Sequence, residues 1–207
     1  MVTQEQDFRR QLGDLCEEAG IALDGAAMEV CSQHFRVLWR WNRVINLVGD
    51  LSVESAARRH YGESLFLAKK VGARFPVIAD FGSGGGFPGI GLAALLPGSK
   101  IVLLEARQRK AAFLRESTRG VDGASVVVGQ GEDYQGPADL VTARAVNPSA
   151  VVKYAGSRGV PVALLLSDAD GSAWASQLSA SGWSCDVSAV PWRAEAVVLI
   201  AFPCVAD

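Results

Sequence analysis

Val77-Ile-Ala-Asp-Phe-Gly-Ser-Gly-Gly-Gly-Phe-Pro-Gly89 is the stretch on which the reading of this chain turns. A short apolar run ends in an acid, Asp80, and then passes through alternating glycines at Gly82, Gly84 and Gly86. Pro88 follows, a residue suited to the first turn of a helix because it has no N–H to leave unpaired. A strand, a glycine turn and a helix N-terminus in succession bring bare backbone close to a ligand.

The spacing separates the candidate loops. A phosphate-binding P-loop closes on Gly-Lys-Ser/Thr, whereas Gly86 is followed by Phe87-Pro88. The dinucleotide fingerprint needs glycine at its first, third and sixth positions, and counted from Gly82 the sixth is Phe87. What remains is acid-x-Gly-x-Gly-x-Gly, the form found in S-adenosylmethionine (AdoMet) enzymes of the doubly wound class. That cofactor has no pyrophosphate to neutralise. Its sulfonium and amino groups are cationic, which suits an acid at Asp80, and its carboxylate can take N–H groups from the turn.

The next run, Lys100-Ile-Val-Leu-Leu-Glu105, is continuously apolar, as expected of a strand buried on both faces. Glu105 stands at its end, placed to accept hydrogen bonds from ribose hydroxyls. That signal supports a nucleoside cofactor without choosing between AdoMet and a nicotinamide. Ser125-Val-Val-Val-Gly-Gln-Gly-Glu132 reads as a third strand running into a polar turn that would flank an adenine. Asp139-Leu-Val-Thr-Ala-Arg-Ala145 reads as a fourth, with Arg144 at the rim of the site.

From residue 76 onward, strands and helices alternate: strands 76–81, 100–105, 124–129, 138–143 and 160–167, helices 88–96, 107–119, 147–157 and 171–181. This implies a mainly parallel sheet with helices on both faces. Ser184–Val190 and Ala196–Phe202 would end it as an antiparallel hairpin, giving seven strands. Residues 1–72 read as an N-terminal helical extension, 73–207 as the α/β domain. In the extension, Phe8, Leu12, Leu15 and Cys16 share one face, Asp24 caps a long helix towards Asn46, and a third helix spans 53–71.

With 207 residues and 49% apolar composition, the chain has enough material for one well-buried α/β domain plus such an appendage. No apolar run approaches the roughly 20 residues of a membrane span. The polar N-terminus is unlike a signal peptide, so a cytoplasmic protein is expected. Cys16, Cys31, Cys185 and Cys204 are scattered without metal spacing; free, buried thiols and no metal site are expected. Net charge is only −2, but it is segregated: residues 30–119 hold fourteen Lys/Arg against six Asp/Glu, and the remainder six against sixteen. A basic face on an acidic body is compatible with a polyanionic partner.

Three further stretches carry a resemblance. Trp41-Asn-Arg-Val-Ile-Asn-Leu47, then Arg59-His60 with Glu63-Ser-Leu65, then Leu103-Leu-Glu-Ala-Arg-Gln-Arg-Lys-Ala-Ala-Phe-Leu114 flank the Gly-Phe-Pro-Gly loop in order. Together with Thr142-Ala-Arg-Ala145 they make the chain similar, over about residues 35–146, to the 16S ribosomal RNA guanine-N7 methyltransferases. That family is also called glucose-inhibited division protein B or ribosomal RNA small subunit methyltransferase G. The resemblance implies a Rossmann-like class I AdoMet methyltransferase fold. It implies cofactor contacts at Gly82, Phe87, Gly131, Glu132 and Arg144, in addition to Asp80, Gly84 and Gly86 of the loop, with the ribose on Glu105. Asn46, Arg59 and His60 would lie on the helical segment over the cofactor mouth. Arg59, Arg107, Arg109 and Lys110 are candidates for RNA contact. The partner it implies is 16S rRNA or the small ribosomal subunit, and a monomer is the expected state.

The chain departs from that pattern in places. It has Glu63 where the family has Asp, Val48-Gly49 where the family has Thr-Ala, and Leu-Ser167 where the strand near residue 165 runs into Lys-Gly. The family's basic tail is replaced by Phe202-Pro-Cys-Val-Ala-Asp207. Two further readings therefore stay open: a family member with a changed substrate, and a non-catalytic RNA- or nucleotide-binding protein.

Methylation of guanine N7 needs no general base, because N7 carries a lone pair and no proton at neutral pH. No catalytic dyad is expected. Arg144, Asn46 and His60 are positioning candidates, and Arg144 stays protonated and so acts as neither acid nor base. His60 reads first as a structural histidine bonded across helices, and His34 as surface or packing. Trp39 and Trp41 sit two apart on a helix and face different directions, so at most one points at a ligand. Trp174, Trp183 and Trp192 are assigned to packing.

Overall fold

A computed structural model describes residues 2–204. Five strands run parallel: β1 (Val77–Phe81), β2 (Lys100–Glu105), β3 (Ala124–Val128), β4 (Leu140–Arg144) and β5 (Val162–Ser167). β6 (Ser184–Val190) and β7 (Arg193–Phe202) complete the sheet as an antiparallel hairpin, with β7 beside β5. The spatial order is β3-β2-β1-β4-β5-β7-β6. The chain moves outward from β1 to β3 and then returns to the far side of β1 as β4. The carboxyl ends of β1 and β4 therefore flank a topological switch point, where open α/β sheets hold ligands.

The period-2 alternation of the strands divides the core in two. Ile78, Ile101, Leu103, Leu140, Ala163 and Ile200 face one side, and Ala79, Val102, Leu104, Val141, Leu164 and Leu199 the other. The first side is covered by α1 (Val2–Glu18), α2 (Gly25–Trp41), α4 (Glu63–Val71), α5 (Gly89–Leu95) and α6 (Gln108–Ser117). The second carries α7 (Pro148–Arg158) and α8 (Asp168–Ala180). The helices of the first seventy residues thus bury their apolar faces in the same cluster as one face of the sheet.

Asp24 does cap α2, its carboxylate accepting the Ala27 N–H at 2.8 Å. The helix ends at Trp41, however, well short of Asn46. Asn42 accounts for this. Its Oδ1 accepts the N–H groups of Leu47 and Val48 at 2.9 and 3.0 Å, and its Nδ2 donates to the Val48 carbonyl at 3.1 Å. A side chain that satisfies backbone groups in this way competes with the helix and closes a loop instead. Asn46 lies exposed in that loop and not on a helix.

The single helix expected over 53–71 is also interrupted. α3 (Val53–Ser55) leads into a π-helical stretch, Ala56–Gly62, before α4 begins. His60, Tyr61 and Gly62 at the end of this stretch and Glu63 and Ser64 at the start of α4 are all buried. Pro88 stands just before α5 as its cap, and not inside the first turn. Of the four free cysteines, Cys16 and Cys31 are buried as expected, but Cys185 is half-buried and Cys204 exposed. Among the described residues no helix is long and apolar enough to cross a membrane.

α5 and α4 approach backbone to backbone at Gly91. A Cβ there would lie 2.6 Å from both the Ser64 carbonyl carbon and its Cβ, and 2.9 Å from the Leu65 nitrogen. Gly91→Ala is therefore expected to lower stability to urea by about 1–3 kcal/mol, as overpacking against a fixed neighbour does. Gly98→Ala, where a Cβ meets nothing within 4 Å, serves as the control and should leave the midpoint within experimental error.

Candidate active site

At the carboxyl ends of β1 to β4 lies a hollow of about 430 Å³. Gly82 follows β1, Glu105 ends β2, Gly131 and Glu132 follow β3, and Val146 follows β4; all five line it, as does Arg107. Gly82 has φ +66, and a Cβ there would come within 2.6 Å of a Val146 methyl. Only glycine lets the turn lie this close to the β4 loop. Glu105 is 7% exposed; its Oε2 accepts the Gly84 N–H at 3.0 Å and its Oε1 the Arg107 N–H at 2.8 Å. Each oxygen keeps a second lone pair, so the carboxylate can still accept from two vicinal hydroxyls. Two acids, Glu105 and Glu132, bare backbone on two sides and no lysine in the glycine turn fit a nucleoside without a pyrophosphate, and so fit AdoMet.

Several loop residues expected at the cofactor instead face away from it. Asp80 is fully buried behind the turn, where its Oδ2 accepts the Gly89 N–H at 3.1 Å and its Oδ1 has no partner. Burial raises its carboxyl to about pKa 7, against a partial lowering by the Ser83 and Gly89 hydrogen bonds. Asp80 pins the turn to the start of α5; it lines no hollow. Phe87 is 5% exposed and turned into the helical layer. Its ring stacks on His60 (5.3 Å between centroids) and meets Tyr61 and His34 edge-on at 5.0 and 5.4 Å. Gly86 sits over the His34 ring in the same cluster. His34 is completely buried, its Nδ1 2.7 Å from the Tyr61 hydroxyl, and desolvation lowers its pKa to about 3. These residues anchor the loop to the helices, and of Gly82, Gly84 and Gly86 it is Gly82 that borders the hollow.

Arg144 belongs to a charged cluster beside this hollow. The Glu63 carboxylate, 2% exposed, pairs with Arg144 Nη2 at 3.2 Å and closely with the Arg193 guanidinium of β7. Arg144 Nη1 also donates to His60 Nδ1 at 3.2 Å, while His60 Nε2 lies 2.9 Å from the Asp50 carbonyl. A guanidinium only donates and a carbonyl only accepts, so the proton on the imidazole sits on Nε2. Burial, then the Arg144 charge, lowers the His60 pKa to about 4, and the ring is neutral at pH 7. His60 is thus the bonded structural histidine, and it holds Arg144.

A second hollow, about 500 Å³, opens on the far side of Arg144. Arg59, Arg144, Arg193 and Trp174 line it, and it shares Ala145 and Val146 with the first. Ala145 has φ +55, the left-handed region that a side chain adopts at a cost. The strained residue is the partition between the two hollows, a common place for strain to be kept. Sequence reasoning missed Arg193, Val146 and this partition, because only the sheet order, with β5 alone between β4 and β7, brings Arg193 near the end of β4.

Of the expected RNA contacts, Arg59 lines the second hollow and Arg107 the first. Arg109 is exposed on α6, and Lys110 is half-buried. Asn46 joins neither hollow. Part of the basic segment is neutralised locally: Arg36 pairs with Glu5 and Glu29, and Arg40 with Glu116. Trp41 donates its indole N–H to Glu116 at 2.9 Å and packs on Phe113.

Comparison with known proteins agrees with this geometry. The family described as rRNA small subunit methyltransferase G matches residues 27–165. Ribosomal RNA small subunit methyltransferase G of Gluconobacter oxydans is 40% identical over 114 residues, 54% of this chain and 58% of that one. The protein of the same name from Halorhodospira halophila is 35% identical over 155 residues, 73% of each chain. Among solved structures, an O-methyltransferase from Bacillus cereus in complex with SAH has a TM-score of 0.59 at 16% identity, covering 82% of this chain and 90% of that one. The fold is that of the class I AdoMet methyltransferases.

Asp80 gives the site a pH signature. An Asp titrates near 3.9 in the unfolded chain but near 7 here, so the native state binds the extra proton between those values. Stability should therefore fall as pH rises from about 4 to about 7 and then level off. The loss attributable to this carboxyl is on the order of 3–4 kcal/mol at most. The difference in unfolding free energy between wild type and Asp80→Asn, followed by denaturant titration across this range, should carry that slope.

Proposed function

The chain belongs to the rRNA small subunit methyltransferase G family, and on that premise we propose that it transfers a methyl group from AdoMet to N7 of a guanine in 16S rRNA. The observation that carries this reading is the meeting of the Glu105 hollow with an arginine-lined second hollow at Ala145 and Val146. When bound, AdoMet supplies an electrophilic methyl on its sulfonium. Glu105 would hold the ribose hydroxyls, Gly82 the backbone approach, and Gly131 with Glu132 the adenine side.

The acceptor nitrogen brings its own lone pair, so the protein has to align and desolvate and not to remove a proton. The absence of a free base at the partition suits that task. His60 is neutral, with its Nδ1 lone pair committed to Arg144, and Arg144 is itself committed to Glu63. Arg144 is thereby held at the wall between cofactor and acceptor; Arg193 is paired with Glu63 and Glu195, and Arg59 is left as the guanidinium of the second hollow with no carboxylate partner among the described residues. An acceptor base would have to be unpaired or extruded to enter. The working unit is a monomer, since both hollows are complete within one chain, and its place of action is the cytoplasm, where ribosomes are assembled.

One observation favours a shifted acceptor. At the end of β5, Ser167 caps α8 and its hydroxyl donates to Asp170 at 2.6 Å, so Asp170 joins Glu63 and Glu195 as an acid lining the second hollow. Incubation with labelled AdoMet, small subunits and naked rRNA from a strain lacking this gene separates the readings. The expected result is label on a single guanine, with Glu105→Gln raising the AdoMet Kd about tenfold in calorimetry through loss of a charged acceptor. AdoMet binding without label on either RNA would point to another acceptor. Absence of AdoMet binding would overturn the methyltransferase reading itself.

A further inference from the structure

Trp174 lies on α8, in the part of the chain beyond the family match, which ends at residue 165. The sequence suggested a packing role. Half of that holds, since Trp174 is partly buried and packs against the core cluster that contains Tyr154, Leu178 and Leu199. It also lines the second hollow, as Arg59 does. Trp41 and Trp192 donate their indole N–H groups to Glu116 and to the Arg58 carbonyl, whereas Trp174 makes no such bond among the described residues. A large aromatic side chain, half-buried and bordering a cavity of nucleotide size, offers a face to a planar ligand. Arg59 is exposed on the same rim and has no carboxylate partner among the described residues. An aromatic face beside a free guanidinium is the pairing that single-stranded RNA sites use, one for a base and one for a phosphate.

We infer that Trp174 is a positioning residue: the acceptor base of the RNA stacks on its indole, with the flanking phosphate on Arg59, so that the base edge faces the Ala145–Val146 partition. This rests on the RNA methyltransferase reading above and adds the surface that receives the base. It also places part of acceptor selection on α8, outside the segment shared with the family profile.

The test compares wild type, Trp174→Ala and Trp174→Phe in methylation of small subunits by labelled AdoMet, with AdoMet affinity from calorimetry on each. Loss of base stacking should lower kcat/KM for RNA by about 10- to 100-fold in Trp174→Ala. Trp174→Phe should retain activity within about threefold, and AdoMet affinity should be unchanged in both. A parallel loss of AdoMet binding, equal losses in Phe and Ala, or wild-type activity in Ala would each overturn the inference. A fluorescence titration with a guanine-containing oligoribonucleotide guards against an Ala variant that does not fold. Quenching of wild-type tryptophan emission should largely disappear in Trp174→Phe, and equal quenching in the two proteins overturns the inference. If wild type itself labels no RNA, the methyltransferase reading falls and the inference falls with it. If wild type labels RNA and Trp174→Ala does so equally well, only the inference falls.

Discussion

The carboxylate of Glu63 is the point on which the arrangement of the site depends. It is almost completely buried and faces two guanidinium groups, Arg144 from β4 and Arg193 from β7. A buried carboxylate is costly unless its charge and lone pairs are answered, and here two separate strands answer it. One residue of the helical layer thereby fixes the centre of the sheet and its C-terminal hairpin together. Arg144, so held, also holds His60, and His60 stacks on Phe87 of the glycine turn. The chain of contacts runs from β7 through Glu63 to the loop without passing through solvent-exposed groups alone. A shift at Glu63 would reach both hollows.

This explains why the π-helical stretch matters. The stretch carries His60 and Tyr61, Glu63 follows at the start of α4, and each of the three buried side chains has a different partner: Arg144, His34 and the paired arginines. Through His60 and Glu63 this one helical segment contacts the loop, the sheet and the hairpin. Ala145, strained at φ +55, lies directly after Arg144 and forms the wall between the hollows. Fixed charge on one side of that wall and a fixed turn on the other amount to a preorganised site, in which alignment is settled before any ligand enters.

The sheet was legible in the sequence because its signals are local. Continuous apolar runs, glycine turns and strand-end acids gave β1 to β5 to within a few residues, and the hairpin followed from two late apolar runs. That Gly82, Glu105, Gly131 and Glu132 line one hollow was legible for the same reason: each stands at or just after the end of a strand. Asp80 and Phe87, placed by their loop among the residues expected at the ligand, are buried and do not line the hollow. For Asp80 the correcting signal was present. It lies two residues after Ile78, so strand alternation turns it towards the helices of the first face. For Phe87 it was not, since His34, His60 and Tyr61 reach it from distant parts of the chain. Asn42 and Asn46 share one motif, and only backbone geometry decides that Asn42 closes the loop.

The central claim is that the two hollows divide one reaction, with the nucleoside cofactor on the Glu105 side and the acceptor on the arginine side. The most direct measurement is electron density from crystals grown with S-adenosylhomocysteine. The predicted result is a nucleoside whose ribose hydroxyls lie within hydrogen-bond reach of Glu105, with the sulfur end at the Ala145–Val146 partition and Arg144 still on Glu63. Density lying instead in the hollow lined by Arg59 and Arg193, with Glu105 free of ligand, would contradict it.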